Sequence, residues 1–301
     1  MRAVGIILAG GNNNRMKELT HKRAVAAMPI AGSYRSIDFA LSNMTNSHIQ
    51  KVAVLTQYNA RSLNEHLNSS KWWNFGRKQG GLYVFTPTIT NDNGYWYRGT
   101  ADAIYQNMDF LKKSHEPYVV IASGDAVYKM DYSKVLQYHI DKKADVTVVC
   151  KEMDPSDDVS RFGTIRMDDD MRITEFEEKP MVTKSNMIST GIYVIRRRLL
   201  IDLIEHAAEE ERFDFVNDVL IRYKNLKKIY GYKIDHYWSN IATVDAYYKT
   251  NMDFLKPEVR NYFFKQDPEI YSKVSDLPPA KYNPGASVKN SLVGSGSIIN
   301  G

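Results

Sequence analysis

The sequence predicts an α/β protein: a mixed, mostly parallel sheet with helices on both faces, followed by the start of a left-handed β-helix. Three observations predict it. Short β-branched runs alternate with amphipathic helical patterns from Val4 to Leu255, as in successive βαβ units. Proline and glycine then crowd residues 256–285. Beyond them Ala286, Leu292 and Ile298 recur every six residues, as do Ser287, Val293 and Ile299, the period of hexapeptide β-helix repeats.

The elements follow in order. Val4–Ala9 is an apolar run bounded by Gly10-Gly11 and reads as a buried strand. A polar loop leads to a helix around Ser36–Ser47, and Lys51–Thr56 is the next strand. Thr100–Lys113 reads as a helix because Ile104, Met108 and Leu111 fall on one face. Tyr118–Ala122 is again a buried strand, Ser133–Lys143 a helix and Asp145–Cys150 a strand. Gly163–Met167, Arg172–Phe176 and Ile192–Ile195 are strands with less helix between them. Val244–Leu255 closes the region as a helix with Val244, Tyr248, Met252 and Leu255 aligned.

This divides the chain into an α/β domain over 1–255, an irregular connector over 256–285, and the beginning of a hexapeptide-repeat β-helix over 286–301. The connector is marked by Lys256-Pro257, Pro268, Pro278-Pro279 and Pro284-Gly285. A chain of 301 residues, at roughly 150 per domain, has room for about two domains. Stacked coils are needed to bury a β-helix core. About one coil is present, so the repeat is expected to continue in the natural protein beyond Asn300-Gly301.

Composition narrows the function. With 43% hydrophobic and 25% charged residues the chain is neither disordered nor collagen-like. Its longest apolar runs fall far short of the ~20 residues of a membrane helix. The N-terminus enters a strand pattern directly, without a separate apolar leader and cleavage site. One cysteine, Cys150, cannot make an internal disulfide, and no Cys/His cluster reads as zinc. The expected location is the cytoplasm. The net charge of +5 is scattered, and the only basic run is Arg196 to Arg198. That reads as a solvated surface with some affinity for small anions, not as a nucleic-acid footprint.

Several short motifs are candidates for chemistry. In Leu8 to Met16 a strand ends in Gly10-Gly11 and Arg15 follows. Such glycines let backbone N–H groups approach a phosphate chain that the arginine neutralises. Taken alone, the pair is more simply a tight turn. Asp125 in Ser123-Gly124-Asp125 lies just beyond a strand, where α/β sheets bind ligands, and suits Mg²⁺. Taken alone, it too is a turn. Trp96 to Asp102 is a turn into a helix that Thr100 would cap. Glu177 to Pro180 reads alone as a solvated charge cluster, and Tyr237 to Thr243 as an aromatic strand end.

In order and spacing, these motifs together resemble the bacterial glucose-1-phosphate adenylyltransferase (ADP-glucose pyrophosphorylase) family. The resemblance runs through SIDFALSN and LTQY between Ser36 and Tyr58, WYRGTADA at 96–103, and SGD.VYK.DYS at 123–133. It continues through RFG at 161–163, FEEKP at 176–180 and GIYV at 191–194. It implies a Rossmann-like, GT-A-like nucleotidyltransferase domain followed by a left-handed β-helix. The implied reaction joins ATP and glucose 1-phosphate into ADP-glucose and pyrophosphate, with Mg²⁺, for glycogen synthesis. By matched position the resemblance assigns Gly10, Gly11 and Arg15 to the nucleotide and Asp125 to the metal. It assigns Tyr97, Gly163, Glu178, Lys179 and Ser189 to the sugar phosphate.

The chain departs from that pattern on the catalytic side. A loop glycine is Asn13, a phosphate-facing lysine is Val25, and the histidine of G-D-H is Ala126. The D-F-G-K-D motif becomes Asp214 to Asp218 with Val216 and Asn217, and the second metal aspartate is Asn240. An amide can ligate through its carbonyl oxygen but cannot neutralise Mg²⁺. The departures make Mg²⁺ use by this chain an open expectation. They point to the non-catalytic or weakly active second subunit of Gram-positive bacteria. Such a subunit would bind glucose 1-phosphate and ATP and pair with a catalytic chain in a heterotetramer. Two alternatives are a self-sufficient enzyme, with Lys22 or Lys129 replacing lost groups, and a sugar-phosphate-binding module without catalysis.

Overall fold

The computed structural model describes residues 2–11, 14–76, 80–88, 94 and 96–301. Its main sheet has nine strands. The centre is β1 (Ala3–Leu8), with β2 (Lys51–Leu55) parallel beside it and β3 (Gly81–Phe85) parallel to β2. On the other side of β1 lies β4 (Tyr118–Ser123), also parallel. The chain then leaves the sheet through β5 (Ala126–Tyr128).

The second half is mostly antiparallel. It holds β6 (Val146–Glu152), β7 (Gly163–Met167), β8 (Ile173–Glu178) and the ten-residue β9 (Met187–Arg196). One edge of β9 touches β7 early and β4 late, and its other edge pairs with β6. Finally β10 (Ile229–Ile234) joins parallel to β6, and β11 (Trp238–Asn240) pairs antiparallel with β5.

Alternation along the strands builds two cores. Ile7, Val52, Val54, Val120 and Ala122 face α1 (Ser36–Asn46) through Ile37, Ala40, Leu41 and Met44. Val4, Ile6, Ala53, Leu55, Val119 and Ile121 face the opposite layer. Because both faces are covered, these strands read as continuous apolar runs rather than alternating ones. One face of the sheet carries α1, α2 (Arg61–Leu67) and α5 (Tyr132–Asp141). The other carries α3 (Thr100–Gln106), α4 (Met108–Lys112) and α6 (Arg197–Glu209).

The structure corrects several expectations. The single helix expected over Thr100–Lys113 is two helices, broken at Asn107 (φ −111°, ψ 24°). The Asn107 amide donates to Ala103 O and to the Tyr97 hydroxyl, both at 2.9 Å, so the side chain competes with the helix for its backbone. α6 and the π-helix Phe215–Ile221 went unanticipated. The basic run that opens α6 is spent internally: Arg197 donates to Glu116 O at 2.8 Å and Leu111 O at 3.0 Å, and Arg196 to Asp145.

In α7 (Val244–Asp253) the aligned row does not enter the core. Tyr248 is 64% exposed, while Thr250 and the following Phe254 are fully buried. Val244, Tyr248 and Met252 instead line a groove of ≈ 1040 Å³ shared with residues of 272–277 and 292–297.

The segment expected to be irregular begins as a helix, α8 (Pro257–Phe264), with Pro257 at the first helical position, where a missing N–H is harmless. Phe263 packs there against Phe39 and Phe254. The extended chain after it is fastened to α1. Ser272 Oγ donates to the buried Asp38 carboxylate at 2.6 Å, and Tyr271 N donates to Ser42 Oγ at 2.8 Å. At the end Lys281-Tyr282 pairs in parallel with Ile298-Ile299, and Asn283 Nδ2 donates to Asn300 Oδ1 at 2.7 Å. The chain has made one wrap and returned beside itself.

Candidate functional site

Two cross-ties hold the carboxyl ends of the parallel strands together: Ala9 N donates to Leu55 O at 2.8 Å, and Gly124 N to Leu8 O at 3.0 Å. A Cβ on Gly124 would sit 3.3 Å from both Ala9 Cβ and Ala26 Cβ, so the Gly124 turn packs closely under the loop. This brings Gly10, Gly11 and Asp125 to the mouth of a cleft of ≈ 530 Å³. The Asp125 carboxylate accepts from Ser123 Oγ at 2.5 Å. The buried Ser36 Oγ holds Gly124 O at 2.9 Å, and Ile241 N donates to Asp125 O at 2.9 Å. That last bond sets the end of β11 beside Asp125, with Asn240 paired to Ala126.

Tyr97 and Lys179 line the same cleft. Gln57 clamps the Tyr97 backbone at both ends: its Oε1 accepts from Tyr97 N at 3.0 Å and its Nε2 donates to Tyr97 O at 3.3 Å. Burial raises the Tyr97 pKa, so the phenol stays protonated and accepts from Asn107. Thr100 does not cap its helix; Gly99 occupies that position, and Thr100 Oγ1 accepts from Phe215 N at 2.9 Å. A Cβ on Gly99 would lie 2.3 Å from Phe213 O, which is why the turn needs glycine there.

Lys179 has a left-handed backbone (φ 47°) and pairs with Glu178 at 2.9 Å. Glu178 faces Gly163 across the β7–β8 pair. A Cβ at 163 would come within 2.6 Å of the Phe176 ring and 2.9 Å of Glu178 Oε2. Ser189 is buried and shares a 3.2 Å hydrogen bond with Tyr193, whose ring lines the cleft. Gly163, Glu178 and Ser189 thus back the wall that Tyr97, Lys179 and Tyr193 present.

Arg15 and Asn240 are not in that wall. They line an adjoining hollow of ≈ 740 Å³ with Arg161, Phe162 and Thr243. Asn13 lies outside the described residues. Val25, 8% exposed, forms part of the floor of the first cleft beside Ala26, and Val216 lines it too. Lys129 cannot serve as a replacement lysine: it is 5% exposed and donates to Tyr262 O and Gln266 O, both at 2.6 Å. Lys22 is exposed and lines neither hollow. Gln57, Ser36 and Arg161 escaped the sequence reading because their roles arise from contacts 40 to 88 residues away and no local spacing marks them.

A family model and named relatives match this chain. The family model described as "Nucleotidyl transferase" matches residues 4–257. A glucose-1-phosphate adenylyltransferase of Thermosipho melanesiensis is 39% identical over 300 residues, 99% of this chain and 73% of the relative. Proteins of the same name from Clostridium novyi and Bacillus thuringiensis are each 40% identical. They align over 99% and 100% of this chain and 78% and 80% of their own lengths.

Proposed function

The chain belongs to the glucose-1-phosphate adenylyltransferase family of nucleotidyl transferases, and from that premise we propose that it is a non-catalytic or weakly active partner subunit of that enzyme. One observation carries the reading: the positions that match the family's sugar-phosphate pocket keep their residues and those that match its metal and phosphate groups do not. Tyr97 and Lys179, paired with Glu178, line the cleft. Val25 stands buried in the same cleft where the family pattern has a cation, and Asn240 lines the adjoining hollow where it has a carboxylate.

In the family reaction the sugar phosphate attacks the α-phosphorus of ATP and pyrophosphate leaves. Charge spreads over the phosphoryl oxygens, so the protein's contribution is positioning and fixed countercharge. Removing one preorganised stabilising group costs about 10²–10³ in rate. Losing two would cost more than roughly 10⁴ in rate, though such effects need not add. This chain's own residues bind and orient the sugar phosphate: Lys179 supplies the countercharge and Tyr97 the buried hydroxyl.

The family's Mg²⁺ calls for several oxygen ligands, usually including anionic carboxylates. We read the donor set here as unfit for it. Asp125 accepts from Ser123 through one oxygen and offers a single carboxylate. Asn240 is neutral, and its carbonyl oxygen is engaged by Ala242 N at 3.0 Å. We place the subunit in the cytoplasm, in a heterotetramer with a catalytic chain. We read the single wrap at the end of the chain as the first coil of a left-handed β-helix.

The test compares ADP-glucose formation by this chain, by the catalytic homologue from the same cell, and by their mixture at equal protein concentration. The expected result is a silent chain and a mixture several-fold more active than the homologue. A chain that turns over within tenfold of its relatives would make it a self-sufficient adenylyltransferase, the name those relatives carry. Binding of glucose 1-phosphate with no effect on the homologue would make it a binding module.

A further inference from the structure

We propose that Asn107 is a positioning residue for the cleft: by donating to the Tyr97 hydroxyl, it leaves that hydroxyl to act as a hydrogen-bond donor toward an oxygen of the bound sugar phosphate. This deepens the proposed function and rests on its premise that the cleft holds glucose 1-phosphate.

The helix break sets up the contact. α3 ends at Gln106 and α4 begins at Met108, with Asn107 between them. The Asn107 amide nitrogen carries two hydrogens. One goes to Ala103 O at 2.9 Å and the other to the Tyr97 hydroxyl at 2.9 Å. A carbonyl oxygen can only accept, so the atom that meets Ala103 O is the nitrogen and not the amide oxygen. Closing the end of α3 needs the first bond alone. The second reaches 10 residues back to a side chain of the cleft wall. Tyr97 and Ala103 line the cleft, and Asn107 is not among its lining residues, so it acts through Tyr97.

A phenol has one proton to give and lone pairs with which to accept. Asn107 takes a lone pair. The proton is left for another partner, and among the described residues none accepts it. Asp102 is close enough to be felt at the phenol, but its carboxylate is engaged elsewhere. Its Oδ2 accepts from Arg98 N at 2.8 Å and Gln106 Nε2 at 2.9 Å, and its Oδ1 from Arg98 Nη2 at 3.2 Å. Burial raises the Tyr97 pKa, so the proton is kept.

Tyr97 is thus held at its root by Gln57, through both backbone groups, and at its tip by Asn107. The complement of a fixed donor is an acceptor, and a sugar phosphate presents hydroxyl and phosphoryl oxygens. A hydroxyl oriented before binding loses less freedom when the ligand arrives.

The test is a double-mutant cycle read by calorimetric titration of the full chain with glucose 1-phosphate. Tyr97→Phe should weaken binding by about fivefold, and Asn107→Ala by about threefold. In the Tyr97→Phe background Asn107→Ala should change the Kd by less than about twofold, because no hydroxyl is left to orient. A merely structural role would weaken binding equally in both backgrounds. Asn107→Asp is the second variant. Its carboxylate can only accept, so it takes the phenol's proton; it should bind more weakly than Asn107→Ala, and the difference should shrink in the Tyr97→Phe background. Equal losses in the two backgrounds, no loss on Asn107→Ala, or an unmodified chain that does not bind glucose 1-phosphate overturns the proposal. Its failure is separable from that of the partner-subunit reading. A chain that stimulates the homologue but shows no coupling between the two positions sinks this inference alone, and a coupled pair in a chain that never stimulates sinks the other alone.

Discussion

If the proposed reading holds, replacing Val25 by lysine and Asn240 by aspartate in one chain should convert a silent subunit into a measurable adenylyltransferase. The geometry is favourable at both positions. An aspartate at 240 inherits the bond from Ala242 N with one oxygen and presents the other to the hollow. The Ile241 N to Asp125 O bond keeps it beside the remaining aspartate. A lysine at 25 enters a cleft that Asp125 also lines. Each restored group is worth about 10²–10³ in rate, and the pair at least ~10⁴ if the two act independently. The lysine goes into a position only 8% exposed, and burying a charge costs several kcal/mol unless it is paired. The melting temperature of the double variant should therefore fall while its activity rises. The assay is pyrophosphate release at saturating ATP, glucose 1-phosphate and Mg²⁺. A folded double variant that stays silent would refute the assignment of the defect to these two positions. So would an unmodified chain with a rate near that of the variant.

Other perturbations test the scaffold. Gly163→Ala drives a Cβ into the Phe176 ring and Glu178 Oε2. It should cost about 1–3 kcal/mol and weaken glucose 1-phosphate binding, read by urea unfolding and calorimetry. Asp38, fully buried, accepts from Arg35 N at 2.7 Å and from Ser272 Oγ at 2.6 Å, and pairs with His66 at 2.6 Å. Asp38→Ala leaves those groups unpaired and should cost roughly 3–5 kcal/mol in urea unfolding, where a loss under 1 kcal/mol would count against the latch. His139 is buried against Thr147, and burial, with the charge of Arg196, pushes its pKa down to about 4. The folded imidazole stays neutral while the unfolded one protonates below about 6.5, so stability is complete above that pH and drains away as pH falls toward 4. His139→Asn should remove roughly 3 kcal/mol of that acid sensitivity, and equal pH profiles for the two proteins would refute it.

The sequence by itself determined the α/β alternation, the parallel core strands and the family. Each depends on local pattern: buried strands such as Tyr118–Ala122 are continuous apolar runs, and motifs such as WYRGTADA are contiguous. It also carried the expectation of lost charges at Val25 and Asn240, because a departure from a motif is visible without coordinates. Only the tertiary structure decided the rest. It broke the Thr100–Lys113 helix at Asn107, whose amide had a better partner in Tyr97. It gave Thr100 to Phe215 instead of to its own helix end. It put Arg15 and Asn240 in a hollow apart from the wall of Tyr97 and Lys179 and added Arg161 to them. Periodicity reports which face of an element is apolar; it carries no record of which distant donor meets which acceptor. Here Asn240 is a single amide whose role turns on the bond to a backbone N–H that only the folded strand end supplies.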